Sequence, residues 1–245
     1  MNQIVEADIS FRGLGLGFES SSTGCLFVSW EKNFMRAGKV FETMAKPFVT
    51  IDLDAKPFND EPLLMAANHR SLLDVFVALI CCYRLGRPTR FIVGRVFFKR
   101  PGLGQFLRAI GCIEGGKGSG ADKVAIAAIQ SGTSCAIMPE GKIADMAPGK
   151  VLGPLMPGVS EIWAQTGCRF YAVGISGAQQ IWKAGKNLPH RPHLRVANRP
   201  VVHVRVTEGF RVPKELATLE LVAQIMEDNC IASEADRVAK LAPQS

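Results

Sequence analysis

The chain has 245 residues, 47% of them hydrophobic, and a formal net charge of +7. That length accommodates one large α/β domain or two small ones, and the apolar fraction excludes an intrinsically disordered chain. The longest strongly apolar stretch, Val75–Tyr83, is too short to cross a bilayer, and the opening MNQIVEADIS has neither a basic n-region nor an apolar h-region, so no transmembrane helix or signal peptide is expected.

Residues 10–24 are rich in Gly and Ser and read as an irregular lead-in. Phe27, Trp30, Phe34, Ala37, Phe41, Met44 and Phe48 then recur at spacings of 3 and 4, a helical apolar stripe with Lys32, Arg36, Lys39 and Lys46 off it. Such a stripe either packs on the following domain or meets an anionic membrane peripherally. Residues 1–48 are accordingly read as lead-in and amphipathic helix, and 49–245 as the main domain.

From there strands and helices alternate. Pro62–Ala67 reads as a buried strand and Leu72–Tyr83 as a buried helix. Arg90–Gly94 reads as a strand, Gly104–Ile110 as a helix, and Gly111–Ile113 as a strand. Ala121–Gln130 follows as a helix, Ser134–Met138 as a strand, Val159–Gln165 as a helix and Arg169–Ile175 as a strand. Pro200–Val206 alternates Val202, Val204 and Val206 with His203 and Arg205, the pattern of a half-exposed edge strand. Lys214–Cys230 closes the chain as an amphipathic helix. This alternation predicts a mostly parallel central sheet covered by helices, whose functional loops gather at the carboxyl ends of the strands.

Charge and cysteine usage narrow the class further. Between Val75 and Ile113 there is no Asp or Glu, yet Arg84, Arg87, Arg90, Arg95, Lys99, Arg100 and Arg108 fall there. A one-sign block fits either a solvated face or an anionic partner. The absence of any zinc-finger or RNP pattern argues against nucleic acid. Seven cysteines without a C-x-x-C motif read as free thiols in a reducing, cytoplasmic setting.

Three loops after expected strands carry polar residues suited to chemistry. In Asn68-His69-Arg70-Ser71-Leu72-Leu73-Asp74, Ser71 is placed to cap the following helix and Asp74 lies three residues on. An acid there points back toward the helix start, within reach of His69, so it can hold one imidazole tautomer and stabilise the imidazolium. A plain capping box accounts for Ser71 and Asp74 equally well. The loop Glu114–Gly120 offers backbone N–H groups and Lys117 to an anion. It begins like a nucleotide-binding loop, but Gly118 stands where a Ser or Thr would hold magnesium. In Pro139-Glu140-Gly141, an acid is bracketed at a strand end.

Taken together, these residues resemble the glycerolipid acyltransferases over roughly Ile51–Phe210. Asn68-His69 through Asp74 fits that family's N-H-x-x-x-x-D block, and Met138-Pro139-Glu140-Gly141 its F-P-E-G block, about seventy residues downstream. The resemblance implies His69 as general base and Asp74 as its partner. It also implies Asn68, Arg70, Lys117, Glu140 and Gly141 on the substrate side. The donor would be acyl-CoA or acyl carrier protein, with no metal and no further cofactor. The acceptor would be the hydroxyl of a lysophospholipid-like molecule. Departures from the pattern fall on the acceptor side: Glu114 replaces an aromatic, Lys117 replaces an arginine, and Lys142-Ile143 follow the glycine. Lysine binds phosphate as a point charge without the bidentate fork of arginine. A non-glycerophosphate acceptor, a thioesterase reaction with water, and a non-catalytic lipid- or carrier-binding module are the alternatives.

Overall fold

The computed structural model describes residues 26–143, 150–182 and 199–242. The lead-in before residue 26 lies outside them. Helix α1, Leu26–Ala45, follows the apolar stripe. Strand β1, Thr50–Asp54, was not read from the sequence. Then come β2, Leu63–Ala67, and α2, Leu73–Arg84. Strand β3, Thr89–Gly94, runs into a short helix α3, Arg95–Phe98, also unforeseen. Next are α4, Leu103–Ala109, β4, Ile113–Gly115, α5, Ala121–Gln130, and β5, Ser134–Ile137. The rest comprises α6, Gly158–Thr166, β6, Arg169–Ser176, α7, Ala178–Ile181, β7, Val201–Val206, and α8, Leu219–Leu241.

The seven strands form one sheet in the order β1-β7-β6-β2-β5-β3-β4. All pairs are parallel except β6 with β7. Because side chains alternate along a strand, the sheet divides two cores. Leu63, Met65 and Ala67 of β2 join Ala136, Val173 and Val77 on the face covered by α1, α2 and α4. Leu64 and Ala66 join Trp163, Phe170 and Met226 on the face covered by α5, α6 and α8.

Three expectations are corrected. Strand β7 is not an edge; it lies between β1 and β6, and His203 is 0% exposed. The polar alternation there faces an ion-pair cluster rather than water. Strand β4 starts two residues later than Gly111, which instead turns with φ 79° so that the Trp30 ring lies 2.4 Å from where a Cβ would stand. The closing helix starts at Leu219, where the Thr218 hydroxyl accepts from Leu221 N–H, and runs on to Leu241. The apolar stripe is largely core: Trp30, Phe34 and Ala37 are buried in the same cluster as Ile51 and Val77, and only Met44 of its described members is exposed. Among the described residues, no helix is long and apolar enough to cross a membrane.

Candidate active site

The site begins where β2 ends. Asn68 is 1% exposed and extends the β2–β6 ladder with its side chain: Nδ2 donates to Ile175 O at 3.0 Å and Oδ1 accepts from Ile175 N–H at 2.7 Å. Both ends of the amide are thereby engaged, and Asn68 splices two strands. Its backbone hands His69 into the turn before α2.

That turn is organised around one carboxylate oxygen. Asp74 Oδ2 accepts from Arg70 N–H at 2.6 Å and from Ser71 N–H at 2.7 Å. The same oxygen lies 3.4 Å from His69 Nδ1. A carboxylate only accepts, so Nδ1 carries the proton. The remaining nitrogen, Nε2, makes no hydrogen bond among the described residues. The Asp74 side chain is 1% exposed and that of His69 15%. Burial pushes the Asp74 carboxyl up, opposed by His69 and the two backbone donors. Ser71 Oγ accepts from Leu73 N–H at 3.1 Å and donates to Trp182 O at 2.7 Å, pinning the chain after α7 to the start of α2. The capping-box and catalytic-pair readings thus coexist: one acid caps the turn and faces the imidazole.

Glu140 arrives from the end of β5, the strand beside β2. Its Oε1 accepts from His69 N–H at 2.7 Å and its Oε2 from Gly153 N–H at 3.0 Å. The residue is 5% exposed. Burial pushes its carboxyl up, with the two N–H donors working against the rise. Glu140 therefore clips the His69 turn to the loop before α6. Gly141 supplies the left-handed residue of this turn, φ 67°, with its N–H donating to Met138 O at 3.0 Å.

Lys117 is placed apart. It follows β4, three strands from β2, which at the usual strand spacing is about 14 Å across the sheet. Its side chain is exposed. Arg70 is half-buried and forms no ion pair among the described residues, so it is the cation of the expected set that stands in the His69 turn itself. The acid-free interval is largely committed inside the molecule. Arg84 bonds Glu42 and Ile51 O, Arg87 bonds the Glu61 and Asn59 carbonyls, Arg95 pairs with Glu114, and Arg100 and Arg108 lie over Phe97 and Phe98.

An apolar cavity of ≈ 590 Å³, part of it open to solvent, lies between α2 and the sheet. Its lining includes Ala67, Val75 and Met138, each within two residues of His69, Asp74 or Glu140, and continues to Cys81, Cys82 and Leu85. From Val75 to Leu85 the helix rises about 15 Å. Burial pushes the Cys82 thiol up to about 12 and raises that of Cys81 still further, so these sulfurs act as apolar wall. Sequence reasoning found His69, Asp74 and Glu140. It missed Gly153, Ile175 and Trp182, whose roles are carried by backbone atoms that leave no side-chain signature.

Comparison with known proteins agrees with this architecture. A model of the acyltransferase family matches residues 19–176. No curated protein matches the chain. Among solved structures, the crystal structure of the 1-acyl-sn-glycerophosphate (LPA) acyltransferase PlsC from Thermotoga maritima is similar, with a TM-score of 0.64 and 20% identity over 88% of this chain and 81% of that one. At that identity the likeness is one of fold.

Proposed function

Because the chain belongs to the acyltransferase family, we propose that it transfers a fatty acyl group from acyl-CoA or acyl carrier protein to the hydroxyl of a lysophospholipid-like acceptor. The observation that carries this reading is the His69–Asp74 pair standing beside an apolar cavity at the carboxyl end of β2. The wall of the cavity is almost wholly apolar and suits a hydrocarbon chain.

His69 Nε2 takes the acceptor hydroxyl proton as that oxygen attacks the thioester carbonyl. Asp74 holds the Nδ1–H tautomer and supports the imidazolium that forms. Collapse of the tetrahedral intermediate breaks the C–S bond, and the thiolate leaves with the proton from Nε2. General-base transfer calls for the 3.4 Å contact between His69 and Asp74 to shorten in the substrate complex. No covalent enzyme intermediate is required. Arg70, in the same turn, is the cation best placed to receive a phosphate on acceptor or donor. Lys117, exposed beyond the end of β4, is the second cation proposed for the acceptor side.

The experiment is a panel of acyl-CoA and acyl-carrier-protein donors set against lysophospholipids and against hydroxylated lipids without phosphate, with new esters read by mass spectrometry. Esters on the phosphate-bearing acceptors support the reading. Esters only on the others move the acceptor to a non-glycerophosphate lipid. Free fatty acid alone makes the protein a thioesterase, and saturable binding without turnover makes it a binding module. Reversible contact with anionic membranes is part of the same proposal. It is tested by flotation with anionic and zwitterionic vesicles at low and high salt, with salt weakening the anionic case.

A further inference from the structure

A second polar cluster lies on the opposite face of the sheet, where α8 crosses β1 and β7. His203 of β7 is 0% exposed, and its Nδ1 lies 2.8 Å from Asp52 Oδ2. The carboxylate can only accept, so Nδ1 carries a proton, which leaves Nε2 as the ring atom turned to the remaining acids. That Nε2 is buried and has no hydrogen-bond partner. It faces acids: Asp236 Oδ2 of α8 is 3.7 Å away, and Asp54 of β1 completes a set whose donor atoms all lie within 4.8 Å of one another. A buried ring nitrogen set against two carboxylates without a hydrogen bond to either is an arrangement that a proton or a metal cation resolves. Arg205 lies 2.6 Å from Asp236 Oδ2 and 3.7 Å from Asp54 Oδ2. It balances the acids without bonding the imidazole. Its side chain is 39% exposed, so it is free to swing outward.

We propose that Asp54, His203 and Asp236 form a binding site for a zinc-class divalent cation that ties α8 to β1 and β7. The donor set of one imidazole and two carboxylates suits Zn²⁺ and leaves a fourth, tetrahedral position for water. Imidazole disfavours magnesium and calcium. Donors around tetrahedral zinc sit about 3.4 Å apart, so the exposed Asp54 side chain has only to draw in by an ångström or so. Asp52, bonded to the far ring nitrogen, fixes the tautomer and ring orientation in the manner of a carboxylate–histidine–zinc triad. Lys240, 2.6 Å from Asp52 Oδ2, steadies that carboxylate in turn. The inference is independent of the acyl-transfer reading, because the site lies across the sheet from the cavity and touches neither His69 nor Glu140.

The test uses the full chain without a purification tag, stripped with chelator. ZnCl₂ is titrated by calorimetry and by thermal unfolding, with MgCl₂ as control. One ion per chain is expected, with a Tm rise of roughly 5–10 °C at a hundredfold excess over Kd, and no rise with magnesium. Cobalt substitution should give tetrahedral d–d bands without a thiolate charge-transfer band. The Asp54 carboxylate is exposed and its contact to Arg205 is the longer one, so the metal-free Tm of Asp54→Ala should match wild type while the zinc-dependent rise is lost. His203→Gln should lose the rise too. No zinc binding by the wild type, binding undiminished in Asp54→Ala, or a cobalt spectrum dominated by thiolate would each overturn the proposal.

Discussion

The two faces of the sheet are built from the same alternating strands and filled differently. On the face under α5, α6 and α8, large rings meet: Trp163 stacks on Phe170 with centroids 4.7 Å apart, and both are at most 1% exposed. On the face under α1, α2 and α4 rings meet as well, Phe34 and Phe91 with centroids 5.8 Å apart, but small residues meet under α2. Ala67, Ala78 and Ala136 line the cavity, and the space they leave is not closed by the helix above. One face is packed to the density of an organic solid and holds the domain together. The other is left open beside the histidine, and the proposed chemistry uses that opening. The difference teaches that the site is prepared by what the strands omit as much as by the residues at their ends.

The largest expected effect belongs to the open face. His69→Ala should lower transfer by about 10²- to 10⁴-fold, the usual worth of a general base, with an unchanged unfolding midpoint. Asp74→Asn should lose nearly as much. Retention of more than a tenth of wild-type turnover by purified His69→Ala would end the mechanism proposed here.

On the packed face the loss should be structural. Trp163→Ala opens a void and frees the Cys168 carbonyl that its indole N–H bonds at 3.1 Å. It should cost about 3–5 kcal/mol in urea unfolding, without altering donor preference in whatever remains folded. Glu140→Gln lies between these extremes. A glutamine offers one acceptor where the carboxylate offered two, so one of the His69 and Gly153 N–H groups is orphaned at a cost of about 1–3 kcal/mol. If Glu140 positions the turn, kcat should fall with KM for acceptor little changed; a rise in acceptor KM alone would return Glu140 to substrate contact.

A matched pair probes the contrast directly. Ala172→Leu inserts bulk on the filled face, where Ala172 is 0% exposed, and should cost about 1–3 kcal/mol. Ala136→Leu points into the cavity and should cost less than about 1.5 kcal/mol while shifting preference toward shorter acyl donors. Equal costs would show that the cavity closes in solution. The smallest effect is expected from Met44→Ser at the exposed end of the stripe, 58% exposed, within about 0.5 kcal/mol of wild type. A marked loss of vesicle flotation in that variant would make this end of α1 the membrane contact.

The α/β class and the crossovers were legible because buried parallel strands and their helices leave contiguous apolar runs, such as Leu63–Ala67 and Ala121–Gln130. The resemblance to the glycerolipid acyltransferases, read from N-H-x-x-x-x-D and P-E-G, agrees with the family match. The β1–β7–α8 side was poorly legible for a definite reason. Alternation reports that one side of a strand is polar, and it cannot say whether water or a counter-charge covers that side. His203 and Arg205 read as solvent-facing, yet their partners Asp52 and Asp236 lie 151 and 31 residues away in sequence. Likewise Pro139-Glu140-Gly141 signalled a rigid turn, but the N–H groups that Glu140 receives belong to backbone, which has no letter in the sequence.

Asn68 has a consequence of a different kind. Because it reads the main chain of Ile175, the partner position accepts any side chain that fits the core, whereas position 68 accepts only an amide. An aspartate there would set a carboxylate oxygen against the Ile175 carbonyl and unpick the strand end that delivers His69. That substitution is the product of spontaneous amide hydrolysis, the slow chemical ageing to which exposed asparagines are prone. At 1% exposure, Asn68 is shielded from it. The working lifetime of the His69 turn thus depends on the residue before it and on the dryness of its surroundings.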